Sequence, residues 1–350
     1  MFYLVSDLHC DNRNQYSDTL PDGTNSRLQQ TLDFMRRLGD PADPARDSLF
    51  VAGDIFHNRR SVPHTVLERV IKLFRDLRGH FKNVIVVQGN HDETDTGDGS
   101  SALSAIEPHV TLLARPPGAV HVLDGVSVNL VPWTEDAAEA VSWCKREADY
   151  LVAHLGILGG LTGPASYEVP GKVQAGDLGL GRYRAAFFGH YHKHQPVGAN
   201  ACYIGSPMQQ DWGEAGEEKG HIRLLPKKGA WTFIPNRESP RFVSVRSSDD
   251  VQALARPRDF VRWVATPEEA GETAERIASM QTLLGYGHVS LQVEPGPVRA
   301  PRLDVAGKPD RDVIRAFAEA HPPGEEALGA ATLEEFVSAG AELLGKARAL

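Results

Sequence analysis

In the stretch FFGHYHKHQP, Phe187 to Pro196, three imidazoles stand at alternate positions: His190, His192 and His194. Along an extended strand, residues two apart project from one face, so these rings would crowd together and, if protonated, repel. An apolar lead-in and a glycine ahead of them suggest a strand that ends at a site, and metal ligation is the first chemistry to suspect. Four other apolar runs end in the same way. FYLV leads to Asp7 and His9, LFVA to GDIFH with Asp54 and His57, VIVVQ to GNHD with Asn90, His91 and Asp92, and YLVA to His154. Seven of the 14 histidines therefore fall at strand ends, which make up a small fraction of the chain.

Carboxylate, imidazole and amide oxygen without thiolate suit manganese, iron, zinc or magnesium better than copper(I) or an iron–sulfur centre. Two divalent cations would carry more charge than Asp7 and Asp54 offset, leaving a positive centre that attracts phosphate. A carboxylate between two such ions can bridge them, and a water shared by both becomes acidic enough to attack near neutral pH. The chemistry expected of these residues is phosphoester hydrolysis.

The elements that must position them alternate. Phe2 to Val5 reads as a buried strand, Arg27 to Leu38 as a helix through Leu28, Leu32, Met35 and Leu38, and Leu49 to Ala52 as a strand. Pro63 to Leu77 repeats the helical period, with Pro63 suited to a first turn, and Val84 to Val87 is a strand again. Alternation of this kind predicts a layered α/β domain with sites at the carboxyl ends of its strands. The later segments, among them Val126 to Val131, Tyr150 to Ala153, Ala186 to Phe188, Ala201 to Ile204 and His221 to Leu225, are mostly strands. They predict a second sheet packed on the first.

Composition shifts at PNRESPR, Pro235 to Arg241, and again at Glu294 to Pro309. Between these linkers Phe260 to Ala265, Pro267 to Ala278 and His288 to Val293 read as strand, helix and strand, and helical pieces follow near Arg311 to Ala320 and Leu333 to Leu350. The fold class expected is α/β: a two-sheet β-sandwich flanked by helices, with a small α/β cap and C-terminal helices. The domains expected are 1–236, 237–296 and 305–350.

With 350 residues, 41% hydrophobic and 24% charged, the chain has the composition of a globular protein. Its longest apolar runs fall far short of the roughly 18 residues a membrane span needs, and no secretory signal is read at the N-terminus, so a cytoplasmic location and no membrane partner are expected. Cys10, Cys144 and Cys202 are far apart, without a CxxC pair, which argues against a disulfide framework and a thiolate zinc site. A net charge of -9 does not announce a nucleic-acid binder, but bound metal and local basic patches decide what a phosphate meets.

DLH, GDIFH, GNHD, the lone His154 and GHYH resemble, in order, the signature blocks of the calcineurin-like metallophosphoesterases. That resemblance implies Asp7, His9 and His192 on one divalent metal ion, Asn90, His154 and His190 on a second, and Asp54 bridging both. It makes His91 the group that stabilises or protonates the leaving oxygen, with Asp92 placed to orient it. His194 is expected to face outward.

GDIFHNRRSVP and YIGSPMQQDWGE, Tyr203 to Glu214, resemble the corresponding segments of SbcD-type DNA repair exonucleases, the family of the meiotic recombination nuclease. That likeness implies a Mn(2+)-dependent exonuclease and endonuclease in which His57 positions the DNA phosphate. It also implies an SbcC-type ATPase as partner, docked on the C-terminal helices, and a homodimer. Arg59 and Arg60, with the arginines from Arg237 to Arg262, are candidates for phosphate contact, and Trp212 for base stacking. The alternatives are a phosphomonoesterase or cyclic-nucleotide phosphodiesterase on the same centre, and a non-catalytic scaffold at DNA ends.

Overall fold

A computed structural model describes residues 1–94, 100–163, 167–168, 173–246, 253–267, 269–284, 288–294, 308–320 and 332–348. Two six-stranded sheets form its centre. Strands β1 (Phe2–Val5), β2 (Ser48–Ala52), β3 (Asn83–Val87) and β4 (Leu112–Ala114) run parallel in one sheet. In the other, β5 (Ala119–Leu123), β6 (Val126–Val131), β7 (Tyr150–His154) and β10 (Ala185–Gly189) follow one another, β8 (Leu161–Thr162) and β9 (Tyr167–Glu168) forming a separate two-stranded ribbon. The second sheet ends in β12 (Ala201–Tyr203) and the edge strand β11 (Gln195–Gly198). The first is completed by β13 (Gly220–Leu225) and β14 (Ala230–Pro235).

Alternation explains how the layers join. Phe2, Leu4, Phe50, Ala52, Ile85 and Val87 face the second sheet and meet Val128, Leu130, Tyr150, Val152 and Phe187 in one core. The intervening Tyr3, Val5, Leu49, Val51, Val84 and Val86 point the other way, against helices α1 (Ser26–Gly39) and α2 (His64–His80). Both faces are covered, which is why these strands read as unbroken apolar runs. Helix α3 (Ala137–Cys144) belongs to the core on the outer face of the second sheet.

Helix α1 starts where the Asn25 side chain accepts the backbone N–H groups of Arg27 and Leu28, and it closes with Arg36 and Arg37 at its negative end. Pro63 stands one residue before α2, not in its first turn. Strand β11 carries Pro196, which an edge position tolerates because no ladder donor is needed there.

Within the described residues the chain divides into two compact units, Met1–Ala265 with Glu269–Gln292, and Thr266–Glu268 with Val293–Leu350. The first includes, beside the sandwich, a three-stranded sheet of β15 (Phe242–Val245), β16 (Phe260–Ala265) and β17 (Val289–Val293), with helix α4 (Thr273–Leu284). Gln209 accepts the Phe242 N–H at 2.7 Å, and the Arg27 guanidinium lies over the Phe242 and Phe260 rings, so this small sheet is tied to the sandwich. The helix expected over Pro267 to Ala278 begins later. A 3-10 turn covers Glu269–Glu272, and the apolar stripe that holds α4 is Ile277, Met280 and Leu284. In the second unit α5 (Asp310–Ala320) and α6 (Leu333–Arg348) pack together, with Ala318 and Val337 buried. The linker expected over Glu294 to Pro309 lies almost wholly outside the described residues, as does the end of the helix expected to reach Leu350. No helix among the described residues is long and apolar enough to cross a membrane.

Candidate metal centre

Each chemical motif begins where a strand of the central layers stops. At three of the five the backbone turns left-handed: Asp7, His9, Asp54 and His190 have φ of 55°, 44°, 55° and 107°, values that cost a residue with a Cβ about 1–3 kcal/mol each. The crossed-over loops then stay in register, with Asp7 N–H bonded to Gly53 O at 3.1 Å and His9 N–H to Asp54 O at 2.9 Å. The glycines of GD, GN and GH are steric requirements. A Cβ on Gly53 would overlap the His154 ring, one on Gly89 would overlap Asp54, and one on Gly189 would overlap Ala52 O and Ser6 Oγ. The histidine-rich stretch is therefore not a strand. β10 ends at Gly189 and β11 starts at Gln195, so the three imidazoles fan out.

The structure brings the seven expected ligand residues together. Asp7, His9 and His192 offer ligand atoms within 4.8 Å of one another, as do Asp7, Asp54 and His154. Asp54 Oδ2 stands between two imidazoles, 3.7 Å from His9 Nε2 and 3.5 Å from His154 Nε2, while its Oδ1 accepts the His91 N–H at 2.8 Å. Asn90 Oδ1 lies 2.9 Å from His154 Nε2 and 3.0 Å from His190 Nδ1. Asp7 accepts the His190 N–H at 3.1 Å and the Ser6 hydroxyl at 2.5 Å.

The hydrogen-bond pattern of this cluster fits cations. His154 Nδ1 donates to Ala52 O at 2.7 Å, and its Nε2 faces the oxygens of Asn90 and Asp54. His192 Nδ1 donates to Glu214 Oε1, 2.6 Å away, and its Nε2 faces His9 Nε2 at 2.9 Å. Ring nitrogens and oxygens converging in this way, beside carboxylates that are 0% and 2% exposed at Asp7 and Asp54, suit a positive charge among them. Burial opposes charge on His154, but Asp54 outweighs it and holds the imidazole up, at about 9, so positive charge is favoured beside that carboxylate. Burial likewise opposes charge on Asp54, and His154 and His9 nevertheless hold its carboxyl far below the usual range. Burial, reinforced by neighbouring imidazoles, pushes His9 well down and His190 down to about 3, leaving neutral rings able to ligate.

His91 and His57 stand beside this cluster. Their rings stack with centroids 5.5 Å apart and an interplanar angle of 16°, and His91 meets His9 edge-on at 4.8 Å. Asp92 is not the group that orients His91. Its carboxylate, 2% exposed, accepts four backbone N–H groups: Asp54 at 2.9 Å, Gly89 at 3.0 Å, Ile55 at 2.9 Å and Phe56 at 3.1 Å. It ties the GDIFH loop to the GNHD loop. Burial and the Asp54 charge push its carboxyl up, to about 7, against the pull of those N–H groups. The atom facing His91 Nδ1 is His57 O, at 2.6 Å.

The expected DNA contacts are differently disposed. Arg59 Nε donates to Glu93 O at 3.1 Å, and Arg60 is exposed. Trp212 is half-buried, with the Arg262 guanidinium 3.8 Å from its ring centroid and Phe242 packed edge-on at 5.0 Å. Arg241 and Arg256 are spent on structure, holding the buried Asp259 and the backbone of Leu254 and Ser239. His194 stacks on Phe233 at 4.0 Å and bonds Tyr203 O. Two residues with a part in the centre were not legible as such. Trp133 stacks on His190 at 4.9 Å, and Glu214 holds His192. Lys219 and His192 keep the Glu214 carboxyl well below its usual range despite burial.

A convergence of carboxylate, amide and imidazole side chains at the strand ends of a two-sheet sandwich defines the class. The calcineurin-like phosphoesterase family model matches residues 1–194, and the chain belongs to that family. It is a metal-dependent phosphoesterase. Among solved structures, the phosphopantetheinyl hydrolase PptH from Mycobacterium tuberculosis is similar over 59% of this chain and 89% of its own, at 14% identity and a TM-score of 0.35. No curated protein matches the sequence.

Proposed function

We propose that the chain hydrolyses phosphodiester bonds of DNA as an SbcD-type nuclease, using two divalent cations, with manganese the expected metal. The observation that carries the metal reading is the place of Asp54 Oδ2 between His9 Nε2 and His154 Nε2. Asp7, His9 and His192 would hold one ion and Asn90, His154 and His190 the other, with Asp54 shared. When bound, such ions neutralise phosphate charge and make water acidic enough to attack near neutral pH.

His91 supplies the proton chemistry. With Nδ1–H given to His57 O, its Nε2 is the nitrogen left to carry a proton to the leaving oxygen. The DNA reading is supported by the second imidazole, His57, stacked on His91 next to the cluster, and by Arg59 and Arg60 close behind it in sequence. The same likeness proposes an SbcC-type ATPase and a second copy of this chain as partners.

The test is a substrate panel with Mn(II): end-labelled linear duplex DNA, bis(nitrophenyl) phosphate and nitrophenyl phosphate. Degradation of the duplex, with a His57→Ala variant losing more on DNA than on the small diester, is expected. Turnover of the monoester with intact DNA would replace the nuclease reading by a phosphomonoesterase.

A further inference from the structure

We propose that Glu214 is the positioning residue of His192: its carboxylate grips the imidazole at Nδ1 and so presents Nε2 to the cation beside Asp7 and His9. This rests on the metal-centre reading above and names the device that one of its ligands depends on. His192 sits in the irregular stretch between the end of β10 and the start of β11, so no regular element sets its ring orientation. What sets it is a buried network. Glu214 Oε1 lies 2.6 Å from His192 Nδ1, and because a carboxylate accepts only, that nitrogen carries the hydrogen.

Glu214 is itself held at its second oxygen, which accepts the Gln210 N–H at 2.9 Å and the Lys219 ammonium at 2.8 Å. Lys219, its side chain 4% exposed, also donates to His192 O at 2.8 Å and pairs with Glu217 at 2.7 Å. One network therefore fixes both the ring and the backbone of a single ligand. Burying a Lys between two Glu is a poor way to gain stability, since desolvation consumes most of the attraction. As a means of orienting a ligand and raising its basicity it is well suited.

The experiment is calorimetric titration of Mn(II), with manganese electron paramagnetic resonance, on wild type, Glu214→Gln, Glu214→Ala and His192→Ala. Wild type is expected to take up two ions. Glu214→Ala should keep one with wild-type affinity and bind the other about 10–100-fold more weakly, the loss typical of an outer partner of a ligating His. Glu214→Gln, which keeps an acceptor in nearly the same place, should fall between, and His192→Ala should weaken the same ion. Circular dichroism checks folding, and if Glu214→Ala does not fold, the isosteric Glu214→Gln decides by the same criterion. Two ions held with wild-type affinity in the variants, or both weakened equally, would overturn the assignment. Failure of wild type to bind any ion would instead remove the metal-centre reading on which it stands.

Discussion

Asp92→Asn tests whether this residue is a structural tie or a partner of His91. The carboxylate takes two N–H groups on each oxygen, Ile55 and Phe56 on Oδ1, Asp54 and Gly89 on Oδ2. An amide offers one acceptor oxygen and one NH₂, so whichever way it is turned two backbone donors meet a donor. Above about pH 8, where the carboxyl raised to about 7 is ionised, hydrogen bonds to a charged group contribute about 1.5–3 kcal/mol each, which puts the loss at about 3–6 kcal/mol. That is a large share of the roughly 5–15 kcal/mol that holds a typical domain folded. Urea unfolding followed by circular dichroism should show a much lower midpoint with an unchanged slope. Because the tie joins the loops that carry Asp54 and Asn90, Mn(II) affinity should fall as well. A variant within about 1 kcal/mol of wild type, with only the turnover rate reduced, would refute the reasoning and return Asp92 to the side of His91.

His91→Ala should retain Mn(II) binding yet lose about 10²–10⁴ in turnover; full activity in the variant would remove the leaving-group role. His221, stacked on Tyr3 at 6.2 Å with neither ring nitrogen bonded among the described residues, is held down by burial and Arg223 to about 4. The folded state keeps it neutral while the unfolded chain protonates it below about pH 6.5, so stability is complete above that pH and declines as pH falls towards about 4. Wild type should lose about 2 kcal/mol more than His221→Phe between about pH 7 and pH 5, and equal losses would contradict the assignment. Trp212→Ala, which frees Arg262 and Phe242, should lower stability by about 2 kcal/mol even without DNA. Unchanged stability with weakened single-strand binding would restore Trp212 as a stacking platform.

The candidate ligands were legible because their signal is local: an apolar run and a ligand-type side chain within a few residues, repeated at five strand ends, with a glycine between them at three. The same locality explains β1, β2 and β3, whose runs are unbroken because both faces are buried. What escaped depends on contacts across the chain. Glu214 comes to His192 from 22 positions away, through a segment without ligand spacing. Asp92 sits next to His91 in sequence, but it points into the backbone of a loop 36 to 38 positions earlier. Trp212, Arg241 and Arg256 looked available for DNA, and only their partners, Phe242 and Asp259, show what they touch. Short edge strands such as β4 and β11 carry too few residues for a period to emerge.

Anomalous diffraction at the manganese edge, from crystals grown with Mn(II), locates the ions. Two peaks are expected, one among Asp7, His9 and His192, the other among Asn90, His154 and His190, each within ligand distance of Asp54. A single peak, or manganese bound elsewhere with these side chains unengaged, would contradict the two-ion centre.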